Sequence, residues 1–161
     1  MASREVFLKE TAFEILKGLE EDKVAAWGMM SAQHMIEHLS GLFLFTIEKV
    51  KRAPFYTEEK LQRNYKNLIT EDKPFARNIR IKGLEKPLPL RFNSLEEAIN
   101  QLEKGVKRFY TYFENKPQDY KTIHPSLGGL NFEEWELFHS KHFKYHFSQF
   151  ELLVLDESTE A

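Results

Sequence analysis

The chain contains no cysteine, and this absence removes several kinds of chemistry at once. Disulfide frameworks, thiolate zinc sites and cysteine nucleophiles are excluded, so a thiol that takes part in a reaction here has to come from a small molecule. Proline is scarce and unevenly placed, because four of the six prolines lie between residues 52 and 92. The remaining chain is therefore free to form long helices.

Positive and negative charges are nearly balanced, and no long apolar run is present. Lysine and arginine total 23, and aspartate and glutamate total 25, which gives a formal net charge of −2. This balance gives no reason to expect nucleic acid or an anionic membrane as a partner. The first residues lack the apolar core of a signal peptide, and no stretch approaches the length of a membrane span. We therefore expect a cytoplasmic protein.

Apolar residues are numerous enough for a real core. Hydrophobic residues make up 42% of the 161, and phenylalanine alone contributes 14 of them. The composition shows no internal break along the chain, so we predict one domain over residues 1–155. The polar residues 156–161 are predicted to form a disordered tail.

The spacing of apolar residues, together with the residues that cap helices, predicts an all-α fold. Ser31 and Ser94 are suitable N-caps, and Asn131 with Glu134 forms a capping box at the start of the last helix. No segment has the pattern of a strand. Residues 75–90 are expected to form an irregular crossover between the second and third main helices. Helices are expected at residues 4–20, 32–51, 57–68, 94–115 and 131–150, with no proline or glycine after the last of these before Leu155.

The histidines supply metal-binding groups that cysteine does not. Five of the six fall on the second and last main helices, and imidazole suits zinc, nickel, copper or iron. On the last helix, His142 and His146 are four residues apart, so their rings lie on one face about 6 Å apart. Such a pair is half of a metal site, which a third ligand from a facing helix would complete.

Of the two histidines on the second helix, His38 is the better candidate for that third ligand. His34 falls in the first turn, where the positive end of the helix dipole disfavours a cation, whereas His38 lies one turn deeper. His139 is offset from the face that carries His142 and His146. Because a His-x-x-x-His pair also arises by chance, hydrogen-bonded core histidines without a metal are the alternative. Burying several imidazoles side by side without a metal is, however, costly.

Two sets of motifs lie at opposite ends of the chain. The first reads Trp27-Gly28-Met29-Met30-Ser31-Ala32-Gln33-His34-Met35-Ile36-Glu37-His38. The second consists of His124-Pro125-Ser126-Leu127-Gly128 and Lys141-His142-Phe143-Lys144-Tyr145-His146-Phe147-Ser148-Gln149-Phe150. Together they resemble a DinB-related family of unknown function, through its Trp-x-x-Met-Ser-x-x-x-Met-x-x-His signature, its His-Pro-x-x-Gly loop and its closing Lys-His-x-x-x-His-x-x-Gln-Phe helix. Both ends of the chain match, and the middle matches only in helix placement.

The resemblance implies a DinB/YfiT-like four-helix bundle with a long crossover between helices 2 and 3. It also implies a divalent transition metal, zinc or nickel first, held by His38, His142 and His146. Relatives in that superfamily resemble metal-dependent enzymes that use low-molecular-weight thiols. Their activity does not carry over to this chain, because a shared fold is not a shared site, but a small-molecule substrate and a thiol as a second cofactor are compatible with the resemblance. Dimers are common among similar proteins, which makes a homodimer compatible with it.

Four further residues are candidates for supporting roles around the metal. Gln149 lies one turn beyond His146, where it would orient that ligand or donate a hydrogen bond into the pocket. Trp27 is expected to pack against the bundle or to form a wall of the pocket. His34 and His139 are expected to be hydrogen-bonded residues near the site, with a ligand role as the less favoured alternative.

Two functions remain open on the sequence. One is a metal-dependent enzyme, in which three neutral imidazoles leave a position for water or substrate and the metal activates water or a thiol for hydrolysis or S-transfer. The alternative is a metal- or ligand-binding bundle without turnover, or a dimerisation module. The sequence identifies no catalytic base, because Glu37 points about a third of a turn away from His38.

Overall fold

Helices dominate the computed structural model, which describes residues 3–77 and 86–155. Residues 78–85 of the predicted crossover and the predicted tail at residues 156–161 lie outside the described residues. The elements in order are α1 (Arg4–Val6), a π-helical turn (Phe7–Thr11), α2 (Ala12–Leu16), α3 (Ala32–Thr46), α4 (Glu58–Tyr65), a second π-helical turn (Lys66–Thr70), α5 (Leu95–Glu114), β1 (Thr122–His124), β2 (Gly128–Leu130) and α6 (Phe132–Gln149).

Helix starts are set by local side-chain caps, as the sequence predicts. The side chains of Ser31, Ser94 and Asn131 each accept a hydrogen bond from the backbone N–H three residues further on. Each cap satisfies a donor that the first turn of a helix otherwise leaves without a partner. Because each capping side chain and the N–H group that it binds lie three residues apart, the three longest helices begin where they are expected.

The predicted end of the second main helix is wrong. We expected it to reach about residue 51, but α3 ends at Thr46. Glu48 has a left-handed backbone conformation, with φ of 59°, and its carboxylate accepts hydrogen bonds from the hydroxyls of Tyr112 and Tyr120 at 2.5 and 2.7 Å. These contacts to distant parts of the chain accompany the early end of the helix.

The end of the first helical segment also differs from expectation, whereas the last helix ends within one residue of the predicted position. The first helical segment stops at Leu16 instead of residue 20. The last helix stops at Gln149, although no proline or glycine breaks the sequence before Leu155. Its final carbonyl, on Gln149, accepts a hydrogen bond from the backbone N–H of Ala26 at 2.8 Å. A neighbouring loop therefore satisfies the helix end in place of another turn.

A short β-hairpin between α5 and α6 corrects the prediction that the fold has no strand. β1 and β2 pair antiparallel, with Thr122 opposite Leu130 and His124 opposite Gly128. Residues 125–127 form the connection, and Gly128 follows it with φ of +80°. Glycine in this conformation after a three-residue connection is typical of hairpins. The fold is mostly helical, as predicted, with this small sheet added.

The helical segments share one hydrophobic core. Trp135 of α6, Phe43 of α3 and Phe109 of α5 are almost completely buried. Other buried members of the same cluster come from these helices and from the first helical segment: Leu8, Leu16, Met35, Ile36, Leu39, Leu102, Val106, Phe143 and Phe147. In the part of the chain that the structure describes, no helix has both the length and the apolar character needed to cross a membrane.

The chain that returns from the crossover is attached to α3 by a buried carboxylate. Glu37 accepts hydrogen bonds from the backbone N–H groups of Arg91 and Phe92 at 2.7 and 3.2 Å, and from the Gln33 amide at 2.9 Å. Burial raises the pKa of Glu37, but these hydrogen bonds and the Arg91 guanidinium together hold it below its ordinary value. Glu37 is therefore a structural anchor with its oxygens already occupied.

Replacing Glu37 with glutamine should destabilise the protein near neutral pH and have less effect in acid. We expect the free energy of unfolding to fall by about 1–2 kcal/mol, because the amide presents an N–H group to the surrounding donors. Since the folded pKa is depressed, the stabilisation is complete above the ordinary glutamate pKa of about 4.3 and is lost as the pH falls through the folded value. Urea unfolding between about pH 7 and pH 3 would measure this.

Glu14→Gln is the matched control for the Glu37 variant. Glu14 is an exposed helical carboxylate that pairs with Lys17, and exposed pairs of this kind contribute little to stability. A Glu37→Gln difference that stays constant across this pH range, or that equals the Glu14→Gln difference, would contradict the anchoring role.

Candidate metal centre

The structure brings together three histidines that could hold a metal ion. One potential ligand nitrogen from each of His38, His142 and His146 lies within 4.8 Å of the other two. The ring centroids form a nearly equilateral triangle, with sides of 4.8, 4.9 and 4.8 Å. His38 comes from α3, and the other two come from one face of α6, as the four-residue spacing predicts.

One nitrogen–nitrogen distance in this trio is close to the spacing around a tetrahedral transition metal. Two imidazole nitrogens bound to one such ion at about 2.05 Å lie about 3.3 Å apart. The Nε2 atoms of His38 and His142 are 2.9 Å apart, about 0.4 Å less than this spacing. The three candidate nitrogens together span up to 4.8 Å, so the rings would have to rotate to bring all three to one ion. Three nitrogens supply three of four positions, and the fourth is left for water or another ligand.

The trio is buried on one side and open on the other. His142 and His146 are each only 6% exposed, whereas His38 is exposed. A fourth ligand arriving from solvent would therefore approach on the His38 side. This asymmetry matters for function, because a site enclosed on every side could hold an ion but could not admit a substrate.

Burial keeps the imidazoles in the neutral form that binds metals. Desolvation lowers the pKa of His146 to about 3 and that of His142 well below its ordinary value, and the neighbouring rings lower both further. Desolvation also lowers the pKa of His38, to about 4.

The Gln149 side chain contacts the Nδ1 side of the His146 ring. Its side-chain oxygen lies 2.7 Å from His146 Nδ1, and its side-chain nitrogen donates to the backbone carbonyl of Trp27 at 2.8 Å. Gln149 itself is 4% exposed. Its position agrees with the orienting role expected from the sequence, and the Trp27 main chain provides the support. The Trp27 indole N–H points to the Tyr145 hydroxyl at 3.4 Å.

The other two histidines expected near the site have different hydrogen-bond partners. His34 belongs to the capping box of α3, in which the Ser31 backbone N–H donates to its Nδ1 at 3.4 Å, and the Ser31 hydroxyl lies 2.7 Å from the same nitrogen. His139 is fully buried and stacks on Phe43 with ring centroids 3.7 Å apart. Its Nε2 lies 2.9 Å from the Thr46 hydroxyl. Neither belongs to the trio. His34 is hydrogen-bonded within the first turn of α3, and His139 has a partner at Nε2, while its buried Nδ1 has no hydrogen-bond partner among the described residues.

Sequence reasoning missed His124, which sits at the end of β1. It is 4% exposed, and its ring packs against Phe138 with centroids 4.3 Å apart. Its Nδ1 accepts from the backbone N–H of Ser126 at 2.9 Å, and desolvation lowers its pKa to about 3. The His-Pro-x-x-Gly motif contained this residue, but nothing in the motif indicated that its ring would lie beside α6.

Aromatic side chains cover the buried side of the trio. Phe138 and Phe75 lie against the His142 ring, with centroids 5.0 and 5.8 Å away. Tyr145 contacts both Phe75 and His146, at 5.4 and 5.0 Å. Phe75 belongs to the crossover, so part of the long connection forms a wall of the site.

A buried ammonium group fastens the crossover beside this wall. The Lys141 side chain is 10% exposed and pairs with Asp72 at 2.7 Å. It also donates to the backbone carbonyls of Lys73 and Leu68 at 2.6 and 3.3 Å. Because Lys141 precedes His142 in α6, the same helical turn that supplies a candidate ligand also holds the chain next to Phe75.

Comparison with family models, curated proteins and solved structures gave no match to this chain. The resemblance to the DinB-related family therefore stays a prediction that rests on the quoted motifs. The geometry of the three histidines is independent of that resemblance.

Proposed function

We propose that the protein is a metal-dependent enzyme of the DinB-like superfamily, whose three-histidine site activates water or a small-molecule thiol. The observation that supports this most directly is the combination of three converging imidazoles with solvent access at His38. A divalent ion held by three neutral ligands leaves a coordination position for a reactant. Hydrolysis and thiol S-transfer are the two reaction classes that fit.

The metal, zinc or nickel in this proposal, would lower the pKa of a bound water or thiol and so provide a nucleophile near neutral pH. The residues of the chain have separate tasks around it. His142 and His146 hold the ion from one helix, and His38 holds it from another. Phe75 and Phe138 exclude water from the buried side, which leaves the exposed side of His38 for a small-molecule substrate.

The absence of cysteine makes a direct test possible with cobalt in place of the native metal. Thiolate sulfur bound to Co²⁺ gives an intense near-ultraviolet charge-transfer band, and no side chain of this protein carries a thiol. If a thiol reaches the open position, adding glutathione or bacillithiol to the Co²⁺ protein should produce that band. S-methylglutathione, which has no free thiol, and the His142→Ala variant are the controls.

Each outcome of the cobalt experiment selects one interpretation. A band that appears with the thiol and not with S-methylglutathione supports thiol chemistry. No thiol band, but a changed visible spectrum with small anions such as azide, supports the water-activating form of the enzyme. A Co²⁺ spectrum that no added ligand changes would replace the proposal with the alternative, a metal-binding bundle without turnover. Failure to bind Co²⁺ or Zn²⁺ at all would end both.

A further inference from the structure

We propose that the turn at Trp27 and Gly28 is part of the metal centre, because it determines through Gln149 which nitrogen of His146 faces the ion. The role of this turn in metal binding rests on the proposed function. The hydrogen bonds that link Trp27, Gln149 and His146 are present in the protein without metal. Gln149 is then a positioning residue for His146, and the backbone of the loop between α2 and α3 positions Gln149.

The Trp27 carbonyl has only one possible hydrogen-bonding role. The backbone carbonyl of Trp27 can only accept a hydrogen bond, so the group 2.8 Å from it must be the amide nitrogen of Gln149. The amide oxygen of Gln149 then faces His146 Nδ1 at 2.7 Å. Because that oxygen can only accept, Nδ1 must carry the proton. The lone pair of His146 is therefore on Nε2, and Nε2 is the metal-binding atom.

Gly28 is what lets the carbonyl and the amide meet. Its φ is +86°, a conformation in which a side chain is strained. A Cβ at this position would also lie 2.6 Å from the Gln149 amide nitrogen, so an alanine would push the amide away from the Trp27 carbonyl. The positive φ of Gly28 and the closeness of the Gln149 amide both favour a residue without a side chain at this position.

The turn is held at both ends, so it can serve as a fixed support. The backbone N–H of Ala26 donates to the Gln149 carbonyl at 2.8 Å, and Val24 and Ser31 form an isolated antiparallel bridge that closes the loop. Ser31 is also the N-cap of α3, the helix that carries His38. One short segment therefore both starts the helix of one ligand and orients a ligand on the other helix.

The tautomer of His146 in metal-free protein tests the proposal without any metal. Long-range ¹H–¹⁵N correlation spectra distinguish an imidazole protonated at Nδ1 from one protonated at Nε2. We expect His146 to be the Nδ1–H tautomer in the wild-type protein and to shift toward Nε2–H in Gln149→Met, which keeps the length of the side chain but has no amide. An Nε2–H tautomer of His146 in the wild-type protein would overturn the inference.

A glycine pair separates the steric effect from backbone strain. Gly28→Ala and Gly128→Ala introduce the same side chain at φ of +86° and +80°, but a Cβ at Gly128 meets nothing within 4 Å. We expect Gly28→Ala to weaken Zn²⁺ binding by about 10- to 100-fold, as loss of a partner behind a metal ligand does. Gly128→Ala should leave Zn²⁺ affinity unchanged. Equal effects of the two variants on affinity would contradict the proposed support.

The double variant Gly28→Ala/Gln149→Met completes the design. If Gly28 acts through Gln149, the double variant should bind Zn²⁺ no more weakly than Gln149→Met alone, whereas independent effects would multiply. Failure of this inference is distinguishable from failure of the proposed function. If the wild-type protein binds no metal but shows the Nδ1–H tautomer of His146, the proposed function is wrong and the positioning of His146 by Gln149 is right. If the protein binds metal but His146 is the Nε2–H tautomer, the metal site stands and the positioning role of Gln149 is wrong.

Discussion

Replacing His38 with alanine should lower the affinity of the protein for Zn²⁺ by more than about 100-fold. Loss of a partner behind a ligand already costs about 10- to 100-fold, and here a ligand itself is lost. His38 is the single member of the trio from α3, so the variant leaves two histidines on one helix and no contribution from the facing one. Competition of Zn²⁺ against a chromophoric chelator would measure the change.

His34→Ala is the matched control for the His38 variant, since the two histidines lie one turn apart on the same helix. His34 lies beside Ser31 in the capping box, so its loss should cost helix stability of about 0.5–1 kcal/mol. It should not change Zn²⁺ affinity measured at a temperature where the protein is folded. A His34→Ala variant that loses metal as fully as His38→Ala would refute the assignment of the ligands.

Trp135→Ala should be among the most destabilising substitutions in the molecule, at about 3–5 kcal/mol. Trp135 is fully buried, and its indole N–H donates to the Thr122 hydroxyl at 2.7 Å. That hydroxyl donates in turn to the Thr46 carbonyl at 2.9 Å, at the end of α3. The substitution would create a large cavity and remove a buried hydrogen bond between α6 and the hairpin. Chemical denaturation of the two proteins would measure the difference.

The other tryptophan of the chain provides the comparison. Trp27 is only partly buried and lies in the loop before α3, so Trp27→Ala should cost clearly less stability than Trp135→Ala. If the two substitutions were equally destabilising, the buried network around Trp135 would not have the importance that its contacts indicate.

The start of α3 was predictable from the sequence and its end was not, for a physical reason. The side chain of Ser31 or Asn131 caps a helix through a bond to a residue three positions away, so the signal and its effect occupy the same short stretch. The end of α3 coincides with bonds from Tyr112 and Tyr120 to Glu48. The partners are more than 60 residues away along the chain, and no local pattern contains them.

In the candidate site too, features set by nearby residues were predictable and features set by distant contacts were not. The pairing of His142 with His146 follows from helical periodicity alone, and the choice of His38 over His34 followed from their depth in the helix. The support of Gln149 by the Trp27 carbonyl had no side-chain signature, because every residue has a backbone carbonyl. The glycine after Trp27 was the available hint, since a positive φ is one common reason for glycine in a loop.

The hairpin was missed because its strands are three residues long and one of them is Gly-Gly-Leu. Such segments lack the alternation that identifies a strand. The turn did have a signal, in the Pro-Ser-Leu-Gly sequence of residues 125–128. His124 lies at the end of β1, so failing to predict the strands also meant failing to predict its position beside Phe138.

His38 and His142 are 104 positions apart in the chain, and their ring nitrogens nearly touch. An ion bound between them would act as a reversible cross-link that closes a very long loop, which restricts the unfolded chain far more than the folded one. Because such an ion has no preformed site in the unfolded chain, its binding would shift the equilibrium toward the native state by mass action. The cellular supply of that metal would then influence how long each molecule survives.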